Sequence, residues 1–164
     1  MTQLDVEHFV ATEYPKVVAA VRLITGERNA AADAVQDAIV GLLSRPPQRE
    51  ISNYAAWITV VASNKVRDAH RSAGAESRAV GRLGAQGSSS VTEDAFESLD
   101  VDVKAALLSL PVRQRQVCVM HYLLDQSIET IAEGLGVTAG TVKTQLHRGR
   151  AALAARIAKE DHHG

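Results

Sequence analysis

The stretch SIETIAEGLGVTAGTVKTQLHRGRAAL, residues 127–153, has the pattern of two helices joined by a short turn. Ser127 and Thr138 are side chains that favour helix starts, and Gly136 between them favours a helix end. We expect the second helix to run to about Ile157. The crossing of two such helices needs small or apolar residues, and the sequence supplies Ile131, Ala132, Leu135, Val137 and Val142. The stretch therefore predicts a helix-turn-helix.

The second helix of this pair has an apolar and a polar face. Val142, Leu146 and Leu153 are spaced to face inward. The remaining positions carry donors suited to phosphates and base edges. A solvated face of a four-helix bundle is the alternative, but the polar face coincides with the turn, which favours DNA binding. The predicted DNA-binding residues are Thr138, Thr141, Lys143, Thr144, Gln145, His147 and Arg148.

Helical periodicity also runs through the N-terminal part of the chain. Pro15 must begin or kink a helix there, and Gly26 favours a stop. We expect one apolar stripe of Val10, Val17, Val21 and Ile24 in a helix or helix pair over about 3–25, and a second of Val35, Ile39 and Leu42 in a helix to about Leu43. We expect a third helix that carries Trp57, Val61 and Asn64, is capped by Ser52 or Asn53 and ends near Arg71.

The composition changes between residues 73 and 100, where glycine, serine and acidic residues replace large apolar side chains. Such a stretch buries too little surface to offset its ordering entropy, so we expect a flexible linker. Residues 101–164 continue with a short helix over Val101 to Ser109 and a longer one opened by Pro111. The prediction is an all-α fold, with one small helical domain over 1–72 and a second over 101–164.

Charge and composition exclude several classes of protein. The net charge is -1, but residues 104–164 hold eight basic and five acidic residues, whereas 73–103 hold two and six. A mildly basic domain behind an acidic segment is a poor DNA binder by itself and fits a larger assembly. No apolar run is long enough to span a bilayer and no leader pattern is present, so we expect a cytoplasmic protein.

Catalytic, cofactor and metal chemistry are not indicated. Cys118 is the only cysteine and lies in an apolar run, where a buried structural role is expected. The histidines do not cluster beyond His162 and His163, which we assign to a disordered tail. Neither a nucleophile with a base nor a phosphate loop is found, so the predicted catalytic, metal and cofactor sets are empty. We expect no regulatory domain beyond the last helix.

A family resemblance rests on LPVRQRQVCVMHYLLDQSIETIAEGLGVTAGTVKTQLHRGRAAL, residues 110–153. It resembles region 4 of extracytoplasmic-function (ECF) sigma factors, whose usual form is LPxRQRxVxxLxYxxGxSxxEIAExLGxSxGTVKSRLHRARxAL. The sequence departs from that pattern at Gln145, where Arg is common, at Gly149, where Ala is common, and at Asp125 and Gln126 in the turn. The resemblance implies a helix-turn-helix that reads the -35 promoter element.

Two further stretches resemble region 2 of the same family. ADAVQDAIVGLL, residues 32–43, is similar to its DxVQExFLxxW helix, and AWITVVASNKVRDAHR, residues 56–71, to its AWLxxIAxNxxxDxxRR helix. The family usually has an aromatic and a basic residue at Thr59 and Val60. From the residues alone, solvent exposure with a helix-dipole benefit remains open for the acidic face of the first stretch.

The resemblance implies the partners and the remaining site residues. The partners are core RNA polymerase, through the clamp helices of its largest subunit and the flap of the second largest, and promoter DNA. An anti-sigma factor is a further candidate, which the sequence does not identify. The polymerase contact is assigned to Asp33, Val35, Gln36 and Asp37. The helix of residues 56–71 and the loop around 48–53 would open the -10 element, through Ser52, Asn53, Trp57, Asn64, Lys65, Arg67, Asp68 and Arg71.

Two rival functions stay open. A conventional helix-turn-helix regulator would bind specific duplex DNA without polymerase, which the neutral N-terminal domain and acidic linker disfavour. A small helical enzyme or protein-binding adaptor is disfavoured by the missing catalytic constellation. The sequence therefore predicts a non-catalytic transcription initiation factor.

Overall fold

The computed structural model describes residues 3–48, 50–73 and 99–163, and within those ranges it contains helices and no strand. The linker predicted over 73–100 lies almost entirely outside them. The eight helices of the described ranges are α1 (Gln3–Thr12), α2 (Tyr14–Thr25), α3 (Ala30–Ser44), α4 (Tyr54–Ala73), α5 (Val101–Ser109), α6 (Val112–Tyr122), α7 (Ile128–Leu135) and α8 (Ala139–His163).

Helices α1 to α4 enclose the first apolar core. Pro15 lies in the first turn of α2, and Gly26 ends that helix at φ 74° while its N–H bonds Arg22 O, as the sequence predicted. The prediction that Val10 belongs to the buried stripe was wrong: Val10 is 49% exposed, and Phe9 is buried instead. The core residues include Phe9, Val17, Val18, Val21, Val35, Ile39, Leu42, Ile58 and Val66.

Helix α4 turns to the core a face beside the positions of Trp57, Val61 and Asn64. Its buried positions include Ile58, Ala62 and Val66, whereas Trp57 and Val61 are half-buried and Asn64 is exposed. Small residues on this side of α4 allow it to pack closely in the core. Thr59 is fully buried because its hydroxyl donates to Ala55 O at 2.6 Å, which satisfies the polar group inside the bundle.

Helices α5 to α8 form the second domain, with its own core. Val117, Met120, Ile131, Val142 and Leu146 are buried there, and the sequence predicted the inward positions of Val142 and Leu146. The tail prediction was wrong, because α8 continues to His163.

The two domains pack against each other. Ala20, Leu23 and Ile24 of α2 belong to the second core, where they join residues of α5 and α6. Ala56 at the start of α4 lies against α7, since the position of a Cβ on Gly134 is 3.6 Å from Ala56 Cβ. No helix of the described residues is long and apolar enough to cross a membrane.

Candidate nucleic-acid interface

The helix-turn-helix is built by three local signals. Ser127 Oγ accepts from Thr130 N at 3.1 Å and starts α7, and Gly136 ends that helix in the left-handed region at φ 67°. Thr138 Oγ1 then accepts from Thr141 N at 3.1 Å at the start of α8. These caps agree with the sequence prediction. They fix the angle at which α8 presents its polar face.

The exposed side of α8 carries the predicted donors. Lys143, His147 and Arg148 are exposed, and none of them has a hydrogen bond or ion pair to another part of the described chain. Thr144 is exposed too, although its hydroxyl donates to Gly140 O at 3.0 Å. Thr138 and Thr141 share a hydrogen bond of 2.9 Å between their hydroxyls. Lys143, His147 and Arg148 are therefore available to a ligand on this side of α8.

Gln145 differs from its neighbours on the same helix. The sequence placed it on the polar face, but the structure leaves it only partly exposed, beside the buried Leu146. An amide that is partly exposed still has donor and acceptor groups at the edge of the face. A contact between Gln145 and a base edge remains a prediction.

A second polar strip runs along α4. Asn64, Lys65, Asp68 and Arg71 are exposed and Arg67 is half-buried. Arg71 Nη2 lies 2.9 Å from Asp68 Oδ1, an exposed ion pair that is weak in water and is easily exchanged for a phosphate contact. The strip thus presents both charged and amide groups along one helix.

The predicted -10 residues before and within the first turns of α4 lie beside the second domain. Asn53 Oδ1 accepts from Ala56 N at 2.9 Å and so caps α4. Ser52 Oγ donates to Glu133 Oε2 of α7 at 3.0 Å. Trp57 is half-buried and lines, with Glu133 and Gly134, a cleft between the domains. Sequence reasoning did not foresee this contact, because nothing in residues 48–57 marks a partner 80 residues away.

The proposed polymerase face on α3 needs one correction. Asp33, Gln36 and Asp37 are exposed, but Val35 is fully buried in the first core. The helical spacing of Val35 with Ile39 and Leu42 already implied an inward direction. The assignment of Val35 to the contact rested on the resemblance alone.

Two apolar residues on the exposed side of α3 were missed. Val40 is 60% exposed and Leu43 is 45% exposed, in the turns that follow Asp33 and Asp37. Val40 lies at i+3 from Asp37 and i+4 from Gln36, and Leu43 lies at i+3 from Val40, so these side chains share one helix face. That face combines negative charge with exposed apolar surface, which is typical of a protein-binding surface.

Arg115 of the RQR motif binds carbonyl groups at the junction of the domains. Its Nη1 donates to Ile24 O at 2.7 Å, and its Nη2 to Leu110 O at 3.0 Å and Leu108 O at 3.1 Å. Ile24 O belongs to the last turn of α2, where carbonyls lack helical partners. Burial lowers the pKa of Arg115, and the charge of Arg67 lowers it further, yet a guanidinium remains protonated at neutral pH.

Cys118 is buried against α8. Burial raises the pKa of its thiol, and the nearby Arg150 opposes that shift only in part. Arg150 Nε also donates to the hydroxyl of Tyr122 and lies over its ring. Among the residues that the structure describes, no three metal-ligating side chains come together.

Comparison with known protein families identifies the class of protein to which the chain is similar. The sigma-70 region 2 family matches residues 9–76, and the sigma-70 region 4 family matches residues 100–153. These matches correspond to the two helical domains that contain the α4 strip and the helix-turn-helix.

The relatives define the family. The chain is 43% identical to the ECF RNA polymerase sigma factor SigW of Bacillus subtilis over 63 residues, which is 37% of this chain and 34% of SigW. It is 32% identical to the ECF RNA polymerase sigma factor SigL of Mycobacterium tuberculosis over 136 residues, covering 76% of this chain and 72% of SigL. The chain belongs to the ECF family of RNA polymerase sigma factors.

A solved structure supports the fold. The sigma factor RpoE, crystallised in complex with the anti-sigma factor NepR from Bartonella quintana, superposes with a TM-score of 0.71 over 94% of this chain and 97% of that chain, at 24% sequence identity. Among the curated relatives, the chain spans about a third of the length of SigW and of SigV from Bacillus subtilis.

Proposed function

We propose that this chain is a transcription initiation factor that binds core RNA polymerase, reads the -35 and -10 promoter elements and promotes promoter opening. The observation that carries the proposal is the exposed face of α8, where Lys143, His147 and Arg148 project without a partner among the described residues. The N-terminal turns of a recognition helix enter the major groove, and we infer that these side chains contact phosphates and base edges there.

The contact with polymerase is assigned to the exposed side of α3. Asp33, Gln36 and Asp37 supply charge and amide groups, while Val40 and Leu43 supply apolar surface. Acidic side chains steer association with a basic surface, and apolar side chains add affinity once that surface is in contact. The proposed acceptor is the clamp helices of the largest polymerase subunit, with the flap of the second largest subunit contacting the α5–α8 domain.

The -10 element is assigned to α4 and the loop before it. Lys65, Arg67 and Arg71 bind the backbone of the single strand, and Trp57 provides a ring against which an unpaired base stacks. Unstacking a base costs a few kcal/mol, which a pocket recovers. Thr59 lies in the core and Val60 is partly covered by α7, so α4 offers few stacking groups. We infer a preference for promoters that melt easily.

The protein has no catalytic role of its own in this proposal and works in the cytoplasm, where polymerase and promoters are. RpoE was crystallised with an anti-sigma factor, NepR. We infer that an anti-sigma factor also restrains this chain.

Genomic-fragment capture distinguishes this function from that of a conventional regulator. The full chain, alone or with purified core polymerase, is mixed with sheared genomic DNA, and retained fragments are sequenced. We expect specific enrichment only when both proteins are present. Enrichment of the same fragments by the chain alone would contradict the proposal and favour a regulator.

A variant that lacks one of the proposed phosphate contacts makes this test more specific. Lys143→Ala removes one cation from the exposed face of α8 without touching the apolar face that packs on α7. We expect weaker retention of all fragments alike and a salt dependence of affinity that is shallower by about one unit of slope. Loss of only some fragments would instead mean that Lys143 reads bases.

A further inference from the structure

A cavity lined mainly by charged side chains lies between the end of α2 and the last turns of α4. Its lining residues are Thr25, Glu27, Val66, Arg67, His70 and Arg71, and its volume is about 250 Å³. A water molecule needs roughly 10–15 Å³ of such volume, so the cavity admits a ligand of several heavy atoms. The basic groups of α4 are therefore within reach of a small molecule at this place.

The charges around the cavity are not balanced. Glu27 Oε1 lies 3.0 Å from His70 Nδ1, and Asp68 Oδ1 lies 2.9 Å from Arg71 Nη2, so each carboxylate has a basic partner of its own. Arg67 is half-buried and has no hydrogen bond or ion pair to another of the described residues. Its positive charge is thus left without a carboxylate in this part of the chain.

A second guanidinium group lies next to the cavity. Arg115 Nη1 donates to Ile24 O at 2.7 Å, and Ile24 directly precedes Thr25 of the cavity wall. Burial lowers the pKa of Arg115, and the positive charge of Arg67 lowers it further, so the two guanidinium groups are close enough to repel each other. An anion bound near both groups would offset that repulsion.

Two buried donors beside these groups have no hydrogen-bond partner among the described residues. They are the hydroxyl of Ser63, which is fully buried, and Nε of Arg115. Ser63 lies four residues before Arg67, so the two side chains lie on the same side of α4. Buried donors are almost always paired in native proteins, and unpaired ones beside a cavity indicate a ligand that accepts hydrogen bonds.

We propose that this cavity binds a small anion with two linked phosphate groups. Arg67 and Arg71 bind phosphate oxygens through their paired N–H groups, and Ser63 donates from the inner side of the cavity. A terminal phosphate carries about 1.5–2 negative charges at pH 7, whereas each phosphodiester of DNA carries one, so several cations around one small cavity favour the free anion. An anion bound here keeps Arg67 and Arg71 from the -10 strand. That consequence rests on the proposed function, but the binding site does not.

Calorimetric titration of the full chain with inorganic pyrophosphate tests the site without polymerase or DNA. We expect one binding event per chain. Arg67→Gln should weaken binding at least about tenfold, because hydrogen bonds to a charged group are lost. Arg45→Gln is the matched control, since it removes the same charge from an exposed residue at the end of α3, and it should change the affinity by less than about twofold. Absence of binding to the unmodified chain, or equal weakening by both variants, would overturn the proposal.

Two further variants separate a defined site from general attraction between charges. Arg67→Lys keeps the positive charge but lacks the planar pair of donors, so we expect an affinity between those of the unmodified chain and Arg67→Gln. Ser63→Ala removes only the buried hydroxyl and should weaken binding about two- to tenfold with an unchanged circular dichroism spectrum. An unchanged affinity of Ser63→Ala would exclude Ser63 from the site, and full affinity of Arg67→Lys would contradict paired recognition by Arg67.

Amide chemical shifts locate the anion in the unmodified chain and do not depend on the folding of a variant. On addition of pyrophosphate we expect the largest changes in residues 25–27 and 63–71. The exposed cations Lys143 and Arg148 of α8 also attract anions. Largest changes on α8 would therefore overturn the proposed location.

Dimethyl phosphate distinguishes a free anion from the DNA backbone, because it is a singly charged diester like the linkage between nucleotides. We expect it to bind at least about tenfold more weakly than pyrophosphate, since it carries less charge and has fewer acceptor oxygens. Equal affinities of the two compounds would assign the cavity to a backbone phosphate of the promoter and overturn the proposal.

Discussion

Replacement of Gly149 by alanine tests how closely α8 packs on α6. A Cβ atom at Gly149 would overlap Cys118 Sγ, whereas its other neighbours, Gln114 O at 3.6 Å and Gln114 Cβ at 3.8 Å, are at ordinary contact distance. The sulfur atom is thus the one severe obstacle among them. The ECF pattern commonly has Ala at this position, and the glycine here matches the thiol of Cys118.

The expected magnitude follows from two opposing effects. Overpacking a close-packed core costs about 1–3 kcal/mol. Alanine is favoured over glycine inside a helix by about 1 kcal/mol. We therefore expect Gly149→Ala to lower the free energy of unfolding by about 0–2 kcal/mol. In a Cys118→Ala background the obstacle is gone, so the same change should raise it by about 1 kcal/mol.

Urea unfolding followed by circular dichroism measures all four chains of this double-mutant cycle. We expect a coupling free energy of about 2 kcal/mol between the two positions. Gly140→Ala is the control on the exposed side of α8, where the nearest atom is Thr138 Oγ1 at 3.8 Å, and it should show no coupling to Cys118. An equal cost of Gly149→Ala in both backgrounds would refute the reasoning.

Three other changes test the turn before α7, the polymerase face and the -35 contact. Asp125 has φ 52°, a left-handed conformation that costs a non-glycine residue about 1 kcal/mol or more, so Asp125→Gly should raise the melting temperature; an unchanged or lower value would contradict this. Alanine at Asp33, Gln36 and Asp37 together should change stability by no more than about 0.5 kcal/mol per site yet abolish co-purification with core polymerase; retained binding would disprove the assigned face. Gln145→Arg should move the preferred -35 base from adenine to guanine, with a difference in binding free energy of about 1–3 kcal/mol between the two bases. The base preference is measured by sequencing the transcripts made from promoters with a randomised -35 element. Identical preferences of the two proteins would mean that Gln145 does not contact a base.

Helix positions were predictable from the sequence because caps and breakers are local. Gly26, Ser127, Gly136 and Thr138 all lie where the structure ends or begins a helix. The exposed positions of Lys143 and Arg148 on α8 were predictable from the helical periodicity of the sequence. The prediction from periodicity was wrong at Val10 because α1 ends at Thr12 and α2 begins at Tyr14. Helical spacing cannot be continued from one helix into the next.

Long-range packing was not predictable from these patterns. On α4, Thr59 and Ser63 are buried beside Ala62, and polar or small residues give no apolar signal. The contact of Ser52 with Glu133 joins residues 81 positions apart. Arg115 was recognised only as part of a motif, whereas its carbonyl partners depend on where α2 and α5 end in space. Local sequence patterns do not encode such distances.

Run-off transcription on genomic fragments tests the central claim most directly. Purified core polymerase is incubated with or without the full chain, and the 5′ ends of the transcripts are sequenced. We expect new start sites that depend on the chain, share two upstream motifs at a fixed spacing and weaken with Lys143→Ala. The same start sites with and without the chain would contradict its assignment as an initiation factor.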